Sequence, residues 1–107
     1  MMEKISSIEQ FNQILQNEKD FFILKHSLTC PISSAAYSAC QSFFENEHVK
    51  MVYVPIQETR ETSNHIAEAF NTRHESPQVF HVKNGEPVWN TSHSRITERA
   101  LKEANTK

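Results

Sequence analysis

Apolar and polar residues alternate with a helical period at the start of the chain and then change to a strand pattern. One face of a helix that Ser7 can cap carries four regularly spaced apolar residues: Ile8, Phe11, Ile14 and Leu15. The polar residues 17–20 end this pattern, and a continuous apolar run follows at residues 21–24. Such a run is typical of a strand that is buried on both faces of a sheet.

The helical period returns directly after Cys30 and extends from Pro31 to about Asn46. Its predicted apolar face is broad and contains Ile32, Ala35, Ala36, Ala39, Cys40, Phe43 and Phe44. Pro31 suits the first position of a helix, because its missing N–H would have no partner there. Cys30 is therefore predicted to cap the amino terminus of this helix.

The second half of the chain predicts three strands and two helices. Residues 50–56 and 78–83 have strand patterns, with a helix between them at residues 63–73. Asn84-Gly85 is a strong hairpin signal, and residues 86–90 form the return strand. Pro87 cannot donate to a strand ladder, so this strand belongs at a sheet edge. Ser94 can cap a last helix that carries Ile96, Ala100, Leu101 and Ala104.

The predicted order of elements is α-β-α-β-α-β-β-α, which indicates the α/β class. Strands connected through helices are parallel, and the hairpin adds an antiparallel pair. We therefore expect a three-layer α/β/α sandwich with a four-stranded mixed sheet, as a single domain over residues 1–107. Residues 1–4 are too few and too polar to indicate a further strand.

Composition narrows the functional classes. The 107 residues carry a formal net charge of −2, which disfavours nonspecific binding to nucleic acid or to an anionic membrane. We find neither a membrane-spanning apolar run nor a secretory signal, so a cytoplasmic location is expected. The single glycine, Gly85, excludes glycine-rich phosphate loops. The six histidines include no i,i+3 or i,i+4 pair, so no helical metal site is predicted.

The two cysteines, Cys30 and Cys40, have different predicted environments. A helix amino terminus favours an anion, so the pKa of Cys30 should fall from about 8.5 toward the range of reactive thiols. The alternative interpretation is that Cys30 is an ordinary helix cap. Cys40 lies ten residues further, about 15 Å along the helix, which is too far for a disulfide with Cys30. We expect Cys40 to be buried and inert.

Three segments together resemble a known family. They are Thr29-Cys30-Pro31-Ile32-Ser33, the Arg-His-Glu-Ser-Pro-Gln-Val segment at residues 73–79, and the segment from Trp89 through Ser92 and His93 to Thr97. This combination resembles the monothiol bacilliredoxins, the YtxJ-like class of thioredoxin-fold proteins. The resemblance implies a thioredoxin-like fold, a catalytic Cys30, a cis bond between Ser76 and Pro77, and eight substrate-binding residues: Thr29, Pro31, Ile32, Ser33, Ser76, Pro77, Ser92 and His93.

The resemblance also implies an activity and its partners. Such proteins remove bacillithiol, a low-molecular-weight thiol, from mixed disulfides on client proteins. Bacillithiol would act as a co-substrate without any bound cofactor, and a separate reductase would recycle it. Because Ser33 cannot form a disulfide, the resolving thiol must come from outside the chain. His93, with a cation such as Lys25 or Arg73, could meet the carboxylates of the malate in bacillithiol, or these could be solvated surface residues.

Two other functions remain open from the residues. Monothiol glutaredoxins share the Cys-x-x-Ser arrangement and carry iron–sulfur clusters, but they resemble Cys-Gly-Phe-Ser, whereas Pro31 and Ile32 occupy the middle here. A noncatalytic module could instead use the groove beside Pro77 to bind extended peptides. An iron–sulfur carrier predicts a visible chromophore that depends on Cys30, and a binding module predicts partner binding that survives Cys30→Ala.

Overall fold

The structure is a computed structural model, and it describes residues 2–29 and 31–106. The described residues form a five-stranded mixed sheet with four α-helices. The strands are β1 (Glu3–Lys4), β2 (Asp20–His26), β3 (Met51–Pro55), β4 (Gln78–Lys83) and β5 (Glu86–Ser92). The helices are α1 (Ile8–Asn17), α2 (Pro31–Glu47), α3 (Arg60–Ala69) and α4 (Glu98–Asn105), with a 3₁₀ turn at His93–Arg95.

The middle of the sheet is built around β2. Its order is β1-β3-β2-β4-β5, with β2 parallel to β3 and antiparallel to β4. The parallel pair is connected through α2, and β4 turns into β5 through Asn84 and Gly85, which have φ angles of 52° and 80°. The predicted α/β class with a thioredoxin-like mixed sheet is confirmed, and β5 lies at an edge as Pro87 indicated.

The predicted number of four strands is wrong, because residues 3–4 add a fifth. Glu3 pairs with Val52 and Lys4 with Tyr53 in parallel register, and the Ile5 N–H donates to the Tyr53 carbonyl at 2.9 Å. Both β1 side chains are exposed, and this pairing uses backbone groups. A short strand held by its backbone leaves no apolar pattern, so hydropathy does not indicate it.

Two helix boundaries also differ from the prediction. Helix α3 begins at Arg60 and ends at Ala69, rather than extending over residues 63–73. Ser94 does not cap the last helix, because it lies in the 3₁₀ turn and Thr97 is the cap. The Thr97 hydroxyl accepts from the Ala100 N–H at 3.1 Å. Ser94 and Thr97 are both suitable capping residues, and the sequence does not distinguish them.

Apolar side chains cover both faces of the sheet. Because side chains alternate along a strand, β2 sends Phe22 and Leu24 toward a cluster with α2 and α4, whereas Phe21 and Ile23 point to the opposite cluster with α1 and α3. No helix in the described part of the chain is long and apolar enough to span a membrane.

Helix α2 buries a narrower stripe than predicted. Its buried residues are Ser33, Ala36, Cys40 and Phe43. Ile32 is 44% exposed and Ala35 is exposed, so their assignment to the apolar face is wrong. The buried positions recur at three- and four-residue intervals, and each neighbouring position is rotated by about 100° away from the sheet.

Candidate functional site

Three segments that are distant in sequence meet at one end of the sheet. Residues 27–29 follow the carboxyl end of β2, and residues 73–77 lead into β4. Because β2 and β4 are antiparallel, with Lys25 opposite Gln78, these two segments lie beside each other. The third segment begins at Ser92, which ends β5 opposite Gln78. The predicted site residues in the described part of these segments therefore belong to one region.

The first segment precedes α2, which begins at Pro31 as predicted. Cys30 lies outside the described residues. The side chain of Gln57, which the sequence did not indicate as part of the site, forms hydrogen bonds with residues 27–29. Its Nε2 donates to the hydroxyls of Ser27 at 2.8 Å and Thr29 at 3.3 Å, and its Oε1 accepts from the Leu28 N–H at 3.0 Å. As an ordinary polar residue after β3, Gln57 gives no signal in the sequence.

The first turn of α2 combines exposed and buried positions. Pro31 and Ile32 are exposed and present apolar surface next to residue 30. Ser33 is fully buried, and its hydroxyl has no hydrogen-bond partner among the described residues. A buried hydroxyl without a partner is unfavourable, so Ser33 Oγ is available for a further hydrogen bond.

The second segment, residues 73–77, contains a cis peptide bond between Ser76 and Pro77. The buried Gln78 holds this loop, because its Nε2 donates to the Arg73 carbonyl at 3.1 Å and its Oε1 accepts from the Glu75 N–H at 3.2 Å. Within residues 2–29 and 31–106, the buried Ser76 hydroxyl has no hydrogen-bond partner. The Gln78 side chain therefore anchors the part of the loop that precedes Ser76.

The third segment packs directly against this loop. The His93 N–H donates to the Pro77 carbonyl at 2.9 Å, and the buried Ser92 hydroxyl donates to Glu75 Oε2 at 3.1 Å. Arg95 Nη2 donates to the Ser92 hydroxyl at 3.2 Å, and the exposed His93 Nδ1 lies 3.8 Å from Glu75 Oε1. The structure thus brings Ser76, Pro77, Ser92 and His93 together, and it adds the charged residues Glu75 and Arg95.

Lys25 has a different role from the one expected. Its side chain is fully buried, with Nζ 3.2 Å from His74 Nδ1, so it is neither a surface residue nor accessible to a carboxylate ligand. Burial lowers the pKa of Lys25 to about 8. The pKa of His74 is also lowered, by burial first and then by Lys25 and Arg60. Residue 25 faces the α3 side because it shares the face of Phe21 and Ile23.

The second cysteine has the environment that the sequence predicts. Cys40 is fully buried within the cluster between the sheet and helices α2 and α4. Burial raises the pKa of this thiol to about 12, because an apolar environment disfavours the thiolate. Cys40 is therefore a protonated thiol at neutral pH.

Histidines and acidic residues are dispersed. His81 Nε2 pairs with Asp20 Oδ1 at 2.6 Å while its ring stacks on Phe22, and His65 packs against Phe11. Among residues 2–29 and 31–106, no group of three or more His, Cys, Asp and Glu side chains could hold a metal ion.

The chain is similar to solved structures over nearly its whole length. One, described as a proposed oxidoreductase with a thioredoxin fold, is 42% identical, covers 97% of this chain and 93% of its own, and has a TM-score of 0.94. Thioredoxin of Fasciola hepatica is 15% identical with a TM-score of 0.81, covering 98% of this chain and 97% of its own. Thioredoxin of Trypanosoma brucei brucei is 13% identical with a TM-score of 0.79, covering all of this chain and 93% of its own. The two thioredoxins support the fold alone.

A comparison with protein families identifies the family of this chain, which the similarity in fold does not. The family described as monothiol bacilliredoxin BrxC matches residues 3–101. This match includes all three segments of the site, and the 42% identical neighbour supports the same oxidoreductase class. The chain belongs to the monothiol bacilliredoxin BrxC family and is a thiol-disulfide oxidoreductase.

Proposed function

We propose that this protein removes bacillithiol from mixed disulfides on client proteins, with Cys30 as the nucleophile. The observation that carries the proposal is the family match over residues 3–101, a range that contains Cys30. In the resemblance of residues 29–33 to the redox motif of thioredoxin-fold proteins, Ser33 stands at the position of the second cysteine. Helix α2 begins at Pro31, so residue 30 precedes its first turn. The partial positive charge of a helix amino terminus favours a thiolate there.

The first step is a thiol-disulfide exchange. The Cys30 thiolate donates an electron pair to the bacillithiol sulfur of the mixed disulfide, forming a new disulfide bond. The bond between bacillithiol and the client breaks, and the client cysteine leaves as a thiolate that takes a proton from solvent. Cys30 then carries bacillithiol, and the number of disulfide bonds is unchanged.

The second step needs a thiol from outside the chain. A second bacillithiol thiolate attacks the bacillithiol sulfur on Cys30, which forms bacillithiol disulfide and releases the Cys30 thiolate. The second bacillithiol supplies the electrons that reduce the client. A recycling reductase then reduces bacillithiol disulfide. Ser33 cannot provide this thiol, and Cys40 is buried among the core residues.

The 73–77 loop and its neighbours provide the proposed binding surface for the client. An extended client segment can pair with the backbone at Ser76, as a short added strand does at a sheet edge. The exposed Pro31 and Ile32 add apolar contact, and Thr29 directly precedes Cys30 in sequence. The contacts of Gln78 and Ser92 with this loop support a fixed backbone at Ser76.

Mass spectrometry of the intact protein tests this proposal. Wild-type protein is mixed with a client that carries one bacillithiol, and the masses of both proteins are followed over time. We expect the client to lose bacillithiol and Cys30 to gain it transiently. The Cys30→Ser variant should show no transfer, whereas Cys40→Ala should transfer at the wild-type rate, because its changed atom is buried.

Two results would contradict the proposal. One is bacillithiol transfer by Cys30→Ser at the wild-type rate, which would show that another group is the nucleophile. The other is client binding by Cys30→Ala without any transfer by the wild type, which is the behaviour of a noncatalytic peptide-binding module.

A further inference from the structure

An aromatic groove lies next to residues 27–29 and the first turn of α2. Its described lining consists of His26, Leu28, Ser34, Tyr37, Ser38 and Tyr53, around a volume of about 320 Å³. The rings of His26 and Tyr37 are 4.9 Å apart and those of Tyr37 and Tyr53 are 5.4 Å apart. Leu28 and Ser34 are two residues before and four residues after Cys30, so the groove borders the strand-to-helix connection that contains the nucleophile.

The groove and the 73–77 loop flank β2 on opposite sides. Tyr53 belongs to β3, whereas the loop leads into β4, and the sheet order places β3 and β4 on either side of β2. A mixed disulfide has two halves, a client and a small thiol. Two separate surfaces at this end of the sheet can therefore receive the two halves.

The lining is uncharged and rich in hydrogen-bonding groups. Burial lowers the pKa of His26 and raises the pKa of Tyr37, whose pKa is raised further by Tyr53, so both rings are neutral near pH 7. The buried His26 Nδ1 has no hydrogen-bond partner in the described part of the chain. By contrast, the loop side carries Arg73, Glu75 and Arg95. Aromatic faces with neutral polar groups suit a neutral ring that carries hydroxyls, and they do not suit a carboxylate.

We propose that this aromatic groove binds the sugar ring of bacillithiol during transfer, while the client lies along the 73–77 loop. The inference rests on the proposed function and names the surface that recognises the small thiol. Bacillithiol has a sugar ring between its cysteine and its malate. In disulfide exchange the three sulfur atoms lie in line, so the substituent of the central sulfur projects sideways. Because the client lies on the β4 side of β2, the side that remains open for the body of bacillithiol is the β3 side, where the groove lies.

The test blocks the groove at an exposed helix position. Ser38 is exposed on α2, so Ser38→Trp fills the groove without disturbing the core. The matched control is Glu45→Trp, an exposed position seven residues further on the same helix face, which does not line the groove. One client peptide is prepared with bacillithiol and, separately, with cysteine on the same thiol, and kcat/KM for release is measured for both conjugates.

We expect the wild type and Glu45→Trp to release bacillithiol at least tenfold faster than cysteine. Ser38→Trp should lose this preference and react with the cysteine conjugate at the wild-type rate. Ser34→Trp, at a second exposed groove position, should behave in the same way.

Three other results would overturn the inference. A preference for bacillithiol that survives both groove variants would overturn it and leave the proposed function standing, as would a wild type without preference. If the wild type releases neither conjugate, the proposed function fails and the inference fails with it.

Discussion

At the scale of single residues, Cys40 is distinguished by its burial and Cys30 by its proposed role. Cys40 is enclosed in the core and its pKa is raised to about 12, whereas Cys30 is the proposed nucleophile. Alkylation requires a thiolate that the reagent can reach. We therefore predict that iodoacetamide at pH 8 labels the native protein once, on Cys30, and labels the protein twice in strong denaturant. Peptide mass spectrometry identifies the labelled residue, and native labelling of Cys40 would show that the core opens readily.

Lys25 makes a second residue-scale prediction. Replacing it by Met, which has a similar length, should raise the free energy of unfolding at pH 7 by roughly 1–3 kcal/mol. The physical reason is that the buried ammonium loses hydration, and the contact with His74 compensates only in part. Urea unfolding of wild type and Lys25→Met measures the difference, with the exposed Lys50→Met as the control.

The pH dependence of this difference has a defined sign. The pKa of Lys25 falls from 10.5 in the unfolded chain to about 8 in the folded one, so its penalty is complete below pH 8. As pH rises from 8 toward 10.5, the folded lysine is neutral, and the wild type gains stability relative to Lys25→Met. A stability difference that stays constant over this range would contradict a buried lysine.

Residue patterns indicate some of these environments and not others. The apolar surroundings of Cys40 in the sequence predict its burial correctly. The expectation that Lys25 meets a carboxylate or lies at the surface is wrong, because its side chain is fully buried on the α3 face of β2. Gln57 and Glu75 act through tertiary contacts with residues far along the chain, and a single sequence carries no signal for such contacts.

At the scale of elements, the hairpin between β4 and β5 depends on its turn residues. Gly85 has a φ angle of 80°, and a Cβ atom there would meet nothing within 4 Å. Gly85→Ala should therefore lower the free energy of unfolding by about 1 kcal/mol through backbone strain alone. Urea unfolding checks this value, and Asn84→Gly, where φ is also positive, should cause no loss. A loss above about 3 kcal/mol would indicate a steric clash that the turn does not contain.

Elements with a strong local signal were predicted closely. Strand β4 and the start of α2 have the predicted positions, because apolar residues and a proline mark them. Strand β1 was missed, and α3 begins three residues earlier than predicted. Backbone pairing with β3 holds β1, and α3 begins within a polar stretch whose hydropathy shows no change.

At the scale of the whole molecule, topology assembles the site. The antiparallel pairing of β2 with β4 and of β4 with β5 brings residues 27–29, the 73–77 loop and Ser92 to one end of the sheet. The order of elements along the chain predicts that these segments lie at the same end of the sheet, because the type of connection between two strands determines whether they are parallel or antiparallel. It does not predict the aromatic groove, because the groove needs the relative positions of β2, β3 and α2.

The proposed chemistry depends on one thiolate at the start of α2, and its pKa is the most direct test. The rate of iodoacetamide alkylation is measured from pH 4 to 10 in Cys40→Ala, which leaves Cys30 as the single thiol. We predict an apparent pKa for Cys30 at least one unit below the ordinary value of about 8.5. An apparent pKa at or above about 8.5 would contradict an activated nucleophile at this helix start.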